Sequence, residues 1–537
     1  MKNLVIDEIK RSLKYLNYEF EDGDINISVP KKKEFGDLST NIAFLLSKKN
    51  KKNPIEISKS LKKNLISVNL FKEINIAGPG FLNFKINPKS IVSYISEIIK
   101  EDENYGKANP CNKKVLVEFV SANPTGPLTV GHGRGAILGD ALSNIFEWNG
   151  YTVQREYYYN NAGRQMRILG ESVQSRFMEL IGKKYIFPED GYQGDYIFSI
   201  AKEILEKQGK DLNEDNDFFK EYAESFIFNH IKKTLKNLNI SFDSFFNEKT
   251  LYDNREIYNV IDILKSKKLI YEKDGAVWFE GTKVGRDNDR VLIKKTGEPT
   301  YRLPDMAYHA DKIKRGYDLC IDVFGADHMD AYPDVLEVVK QLGYDESKIK
   351  VIIHQFISIL KNGKTVKMST RKGTFITLDD LVDQVGSDVV RYFFVMRGIN
   401  SHLNFDLDIA KEKSEKNPIY YIQYANARIN TILETYKNKI KNVNLELLTE
   451  EEEIKIIYKL IEFKETLIKV KNIMEPQILA NYLLELSSMF HKYYAKNRII
   501  NDNNIKLTEA RIFFIKSTSI VITNGLKILG ISAPKKM

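Results

Sequence analysis

Apolar residues at Val5, Ile9, Leu13 and Leu16 recur at helical spacing, so the chain is expected to open with a helix that buries one face. A strand-like Ile25-Asn26-Ile27-Ser28-Val29 follows, then the apolar Ile42-Ala43-Phe44-Leu45-Leu46, and then the turn Gly78-Pro79-Gly80 before Phe81-Leu82-Asn83-Phe84. Residues 101–114 are polar and contain Gly106 and Pro110, which places a boundary there. Beyond it, Val115-Leu116-Val117-Glu118-Phe119-Val120 is apolar except for one carboxylate, the pattern of a strand covered on both faces of a parallel sheet. The run enters the loop Ser121–Pro127, and a helix pattern follows. Ile137, Ala141, Ile145 and Trp148 lie on one stripe, with Leu138, Leu142 and Phe146 beside it. Strand, glycine-bearing loop and helix make the opening unit of a doubly wound nucleotide-binding sheet.

Further strands of such a sheet are expected at 291–293, 319–324 and 351–358, with a polar and helical insertion at about 170–280. From about 405 onward the pattern is almost entirely helical. Thr449 and Glu452 have capping-box spacing, and Ile457, Leu460, Ile461, Leu467 and Ile468 follow at helical intervals. Glycine is absent between Gly398 and Gly525, as in a helical bundle. The expected fold class is α/β multidomain: a small N-terminal α+β domain at 1–108, a Rossmann-like parallel-sheet domain with its insertion at 109–385, and an all-α bundle at 386–537.

A length of 537 residues exceeds a single core and agrees with several domains. Hydrophobic residues at 43% and charged residues at 28% describe a globular chain rather than a disordered one. Met1 to Glu8 meets an acidic pair before any apolar run develops, and no stretch approaches the roughly 18 apolar residues of a membrane span. A cytoplasmic protein without membrane contact is therefore expected. Cys111 and Cys320 lack metal-ligand spacing, so two reduced thiols are expected and no protein-held metal. The net charge of +9 suits a polyanionic partner. It is spread over the chain apart from runs such as Lys31-Lys32-Lys33, whose plain reading is a solvated face. Charge permits RNA here without showing it.

Two segments carry candidate chemistry. Thr129-Val130-Gly131-His132-Gly133-Arg134-Gly135 sits between the buried strand and the helix, where small residues admit a ligand and free helix N–H groups face phosphates. An imidazole there can donate to a developing phosphoryl oxygen. A tight turn with a hydrogen-bonded histidine is the plain alternative. Over two hundred residues on, Lys367-Met368-Ser369-Thr370-Arg371-Lys372-Gly373 places three cations and hydroxyls on one loop, as a clamp on a triphosphate would. Alone it reads as an exposed basic loop.

Together, and in this order, the two segments resemble the signature motifs of class I aminoacyl-tRNA synthetases, His-x-Gly-His and Lys-Met-Ser-Lys-Ser. The surrounding sequence resembles the arginyl-tRNA synthetase family. The resemblance rests on Val117 to Pro127, Gly325-Ala326-Asp327-His328, His354-Gln355, Asn417 to Ala425, Ala77 to Asn83 and the closing Ser532-Ala533-Pro534-Lys535-Lys536-Met537. It spans the whole chain. Two positions depart from the motifs: Thr129 replaces the first histidine, and Thr370 replaces the second lysine.

The resemblance implies ATP-dependent ligation of L-arginine to tRNA(Arg) through an arginyl-adenylate, with tRNA bound before activation. It implies ATP contacts at Thr129, Gly131, His132, Gly133, Gly325, Asp327, His328, Lys367, Met368 and Ser369. His132 and Lys367 would act on the phosphates, assisted by Arg371 or Lys372, with Mg2+ carried by the nucleotide. A guanidinium offers a planar fork of donors, so its pocket should supply carboxylates, and Glu118 inside an apolar strand needs a cationic partner. A buried ion pair with another arginine is the plain alternative. The family pattern points to Glu118, Ser121, Asn123, Tyr301, Asp305 and Gln355 around the amino acid. Pro304 fits a first helical turn, so Tyr301 is expected just before a helix. Tyr421, Asn426 and Arg428 are the expected tRNA contacts in the helical domain, by stacking and edge hydrogen bonds. The family implies a monomer. A tRNA-binding relative that has lost the reaction is the alternative that Thr129 and Thr370 keep open.

Overall fold

The computed structural model describes residues 1–30, 32–212, 215–366, 376–438, 440 and 442–537, the side chains at 33 and 328 set aside. The first helix, Lys2–Tyr15, buries Val5, Ile9 and Leu13, the stripe expected from spacing. Next to it lies an antiparallel sheet in the order Ile27–Ser28, Leu38–Thr40, Phe81–Ile86, Phe71–Ala77. The strand expected at Ile25 to Val29 keeps only its two central residues. Helices Pro54–Leu65 and Pro88–Glu101 begin with proline in the first turn, and the side chains of Asn53 and Asn87 accept the first free N–H groups.

The parallel sheet that positions the site has five strands in the spatial order Ile349–His354, Leu319–Gly325, Lys114–Glu118, Thr152–Tyr159, Ser244–Asn247. Every pairing in it is parallel. The chain reverses its winding between Lys114–Glu118 and Leu319–Gly325, and ligands of open α/β sheets bind at such a switch, beyond the carboxyl ends of the strands. The helix Val130–Trp148 follows the first of these strands and is buried nearly all round.

Three expectations change here. The strand at 291–293 forms as Arg290–Ile293, but it pairs antiparallel with Ala276–Phe279 in a separate hairpin sheet. Its partner lies just upstream in the chain, so the local pairing wins. The strand expected at 351–358 breaks at Gln355-Phe356, and its second half, Ile357–Lys361, pairs with Leu403–Asp406 in another sheet. Within the span at about 170–280, Ser244–Asn247 returns to the edge of the parallel sheet, held by Phe245 packing against Tyr157 and Phe228.

The C-terminal region is a bundle of Pro418–Thr435, Glu451–Ile473, Gln477–Lys496 and Ile505–Ile528. The capping box of the second helix is Glu450 with Glu453, one residue later than Thr449 with Glu452. Burial decides the register: Glu453 is fully buried, accepting from Arg511 at 2.9 Å and Tyr493 at 2.8 Å. Arg391 fastens this bundle to the core. It donates to the carbonyls of Leu529 and Leu238 at 2.9 and 2.7 Å and pairs with Asp140 of the helix Val130–Trp148.

Candidate active site

The strand Lys114–Glu118 ends in a strained turn. Val120 has φ +68° and Ser121 φ +42°, a region that costs a β-branched side chain on the order of 1–3 kcal/mol. The turn brings the Ser121 hydroxyl back to donate to Glu118 Oε1 at 2.8 Å, while it accepts from the Tyr158 amide at 3.2 Å. Asn123 spans the same gap, accepting from the Asn160 amide at 3.0 Å and donating to Gln165 at 3.1 Å.

Thr129 caps the helix Val130–Trp148, its hydroxyl accepting from the His132 amide at 3.4 Å. The Thr129 amide donates to His132 Nδ1 at 3.2 Å. A backbone amide can only donate, so Nδ1 is the acceptor and the ring proton sits on Nε2. Burial holds the His132 pKa below its ordinary value, with Asp327 partly opposing the shift, so the ring is a neutral donor. A Cβ on Gly133 would lie 2.5 Å from Leu378, which is why the helix start can sit so close to that segment. Gly325 and Asp327, at the end of Leu319–Gly325, reach the same place, since Asp327 acts on both His132 and His354.

The second expected motif, with Lys367, Met368, Ser369, Arg371 and Lys372, lies outside the described residues, as does the His328 side chain. The chain just after it returns to the first motif. Thr377 bridges Thr129, and the Leu378 amide donates to the Leu128 carbonyl at 2.8 Å.

The helix Arg302–Lys314 packs a polar stripe, Asp305, Tyr308, His309 and Lys312, onto a row of carboxylates across the sheet. Asp322, Glu118 and Glu156 occupy one register line. Lys312, with no exposed surface, donates to Glu118 Oε2 and Asp322 Oδ1, both at 2.5 Å. Those carboxylates hold its pKa up against burial, and Lys312 in turn, with His309 at 3.0 Å, holds Asp322 well below the usual carboxylate range. Glu156 takes both nitrogens of Arg315 at 2.7 Å, and Tyr308 at 2.6 Å. Within the chain the partner of Glu118 is thus a lysine, and not the arginine of the plain alternative.

At the other end of the stripe the charges do not balance. No hydrogen bond or ion pair reaches the Asp305 carboxylate among the described residues, and burial beside Glu118 and Glu248 pushes its pKa up to about 7. Glu248 accepts from Tyr158 at 2.6 Å and Asn160 at 2.7 Å, both neutral, and burial raises it as well. Lys312 and His309 oppose that rise at Asp305, but among the described residues neither bonds to its carboxylate. Lys312 and Glu248 were missed from sequence. Lys312 carried a signal, standing seven residues after Asp305 on one helical face, whereas Glu248 carried none. Tyr301 stands just before the helix, as Pro304 implied; it is 78% exposed and no hydrogen bond reaches its hydroxyl among the described residues.

In the bundle, Tyr421, Tyr424, Arg428 and His491 line a cavity of about 460 Å3. The Tyr421 ring lies 4.3 Å from His491, and Arg428 stacks over Tyr424 at 4.4 Å. Asn426 does not join them. It is 1% exposed and fastens the chain's last residues, accepting from Ser519 at 2.7 Å and donating to the Pro534 carbonyl at 3.1 Å. Its expected contact with RNA is therefore withdrawn: the C-terminal segment covers that face of the helix.

Three family models match the chain. "Arginyl tRNA synthetase N terminal domain" covers residues 3–86, "tRNA synthetases class I (R), catalytic domain" 94–392, and "DALR anticodon binding domain" 422–537. The arginine–tRNA ligase of Desulfotalea psychrophila is 45% identical over 96% of this chain and 95% of its own length. That of Chlorobium phaeobacteroides is 45% identical over the full length of both. The Thermus thermophilus arginyl-tRNA synthetase structure superposes with a TM-score of 0.77 over 100% of both chains at 19% identity, a likeness of fold.

Proposed function

Since the chain belongs to the arginyl-tRNA synthetase family, we propose that it joins L-arginine to tRNA(Arg) with ATP, and that Asp305, Glu118 and Glu248 form the pocket for the substrate's guanidinium. The observation that carries this assignment is the unpaired, recessed Asp305, raised to about 7 beside two further carboxylates. A guanidinium would supply the missing charge in bidentate geometry. Ser121, Asn123 and Gln355 would then face the amino acid's main-chain groups, with Tyr301 closing over the pocket.

The reaction needs no protein nucleophile. The arginine carboxylate attacks the α-phosphorus of ATP, pyrophosphate leaves, and a terminal ribose hydroxyl then takes the arginyl group, releasing AMP. In this reading His132 donates from Nε2 to a phosphate oxygen, a role that Thr129 supports by holding Nδ1. The helix N-terminus at Thr129 and Gly131 faces the phosphates, Gly325 and Asp327 face the ribose, and Lys367 with Arg371 or Lys372 supplies positive charge. Mg2+ carried on the nucleotide would neutralise the triphosphate, and Asp327, near His132, would offer it a hard oxygen donor, which suits a metal held mainly by the nucleotide. Residues 1–108 and 386–537 hold the tRNA, Tyr421 and Arg428 meeting splayed bases, and 109–385 carries the chemistry. We place the enzyme in the cytoplasm as a monomer.

The test is ATP–pyrophosphate exchange with each amino acid, with and without tRNA. Exchange with arginine alone, appearing on addition of tRNA, is expected. Exchange with another amino acid would remove the guanidinium assignment, and tRNA binding without exchange would mark a relative that has lost the reaction.

A further inference from the structure

Arg134 follows the first motif and is fully buried, yet among the described residues no carboxylate pairs with it. Its guanidinium instead donates to three carbonyls: Gln355 at 2.6 Å, Ser401 at 3.0 Å and Gly398 at 3.0 Å. Among the described residues its Nε has no partner. An uncompensated buried charge is costly, and burial pulls this guanidinium down to about 10, a large shift for an arginine. The charge that opposes the shift is Glu475.

Glu475 belongs to the helical bundle, in the turn between Glu451–Ile473 and Gln477–Lys496. Its carboxylate accepts from the Ile399 amide at 3.2 Å. The carbonyl of the same Ile399 accepts from the Gln355 amide at 3.2 Å. The backbone of Gln355 is therefore held at both ends, its N–H by Ile399 and its C=O by Arg134, with His354 Nδ1 also 3.4 Å from that carbonyl. The Gln355 side chain makes no hydrogen bond among the described residues and is free to meet a ligand.

We propose that Arg134 and Glu475 are positioning residues that set Gln355 in the arginine pocket, so that the helical bundle supplies part of the amino-acid site. This rests on the assignment of Gln355 to that pocket. Glu475 fixes the 398–401 segment from the bundle side, Arg134 fixes it from the motif helix, and Gln355 takes its place from both. A role confined to holding the fold would loosen the ATP, tRNA and arginine sites together. Positioning moves arginine alone.

The experiment is steady-state aminoacylation by the full chain carrying Glu475→Gln, Glu475→Ala, Arg134→Lys or Gln355→Ala. Glu475→Ala is expected to raise the KM for arginine about tenfold, the scale of one lost charge-assisted hydrogen bond. The KM values for ATP and tRNA, and kcat, should stay within about twofold. Glu475→Gln keeps an acceptor for Ile399 and should recover part of the loss; Arg134→Lys keeps the charge but reaches fewer carbonyls and should resemble Glu475→Ala. Adding Glu475→Ala to Gln355→Ala should raise the arginine KM no further, since both act through one side chain. An unchanged arginine KM in Glu475→Ala overturns the proposal, as do parallel rises for ATP and tRNA, or full additivity with Gln355→Ala. A wild-type chain that charges no arginine overturns this inference and the functional reading together, whereas a normal wild type with a normal Glu475→Ala overturns the inference alone.

Discussion

The two ends of the helix Arg302–Lys314 present one polar stripe to the same sheet and behave oppositely. At its C-terminal end, His309 and Lys312, with Arg315 just beyond, meet Asp322, Glu118 and Glu156 in short, mutually satisfied pairs. At its N-terminal end, Asp305 faces Glu248 and Glu118, and among the described residues Lys312 and His309 bond to Asp322 rather than to its carboxylate. The difference separates two uses of buried charge. A closed network specifies how helix and sheet fit together, while an open one is completed by a ligand. Lys312 belongs to both ends, because neutralising Glu118 and Asp322 is what lets a third and fourth carboxylate stand nearby.

The largest test of that contrast is Lys312→Met. Its removal leaves Glu118 and Asp322 buried side by side without a counter-charge, so the loss should reach about 3–5 kcal/mol of unfolding free energy in a urea titration. A loss below about 1 kcal/mol would show that the closed end is not what holds the helix on the sheet. Asp305→Asn should do the reverse. Folding stability should hold or rise, since a repelled carboxylate has gone, while kcat/KM for arginine falls about a hundredfold, as expected for losing one partner of a charged pair. Should Asp305→Asn instead unfold the chain and leave arginine use intact, the two ends would have to exchange roles.

The same contrast explains what was legible in sequence. Glu118 stood out because a charge inside an apolar strand needs a partner, Asp305 only through its resemblance to the family's pattern, and Tyr301's place before the helix through Pro304. The identity of the partner was hidden by distance along the chain, since Lys312 follows Glu118 by 194 positions. Three of the five strands of the parallel sheet, Lys114–Glu118, Leu319–Gly325 and Ile349–His354, were readable as apolar runs, whereas Thr152–Tyr159, with Gln154, Arg155 and Glu156 at its middle, was not. Ser244–Asn247 was not, because four residues at a sheet edge carry no period of their own. Spacing along Pro418–Thr435 could not tell Tyr421 and Arg428 from Asn426, because what buries Asn426 is the returning C-terminal segment. Arg134 read as one more member of a small-residue motif until its three carbonyl partners were seen, two of them more than 260 positions away.

The finest test of the open end is its response to pH. Asp305 rises to about 7 because burial and the neighbouring Glu118 and Glu248 disfavour its ionised form, while His309 and Lys312 pull the other way. Its protonated form cannot pair with a guanidinium, so arginine should bind more tightly as pH rises through 7. At pH 6 about a tenth of the unliganded chain is ionised at this position and at pH 8 about nine tenths, which predicts an arginine KM about tenfold higher at pH 6 than at pH 8. Stability runs the other way. A folded pKa above the unfolded one means the folded state holds the extra proton between about 4 and 7, so this group's contribution to stability in the absence of arginine is lost as pH rises through that window. Arginine restores it by favouring the ionised form. The comparison is made against Asp305→Asn: the KM ratio between pH 6 and pH 8 should flatten, and the melting temperature without arginine should lose that part of its fall. A KM ratio that stays tenfold in Asp305→Asn would assign the titration to Glu248, whose pKa burial also raises.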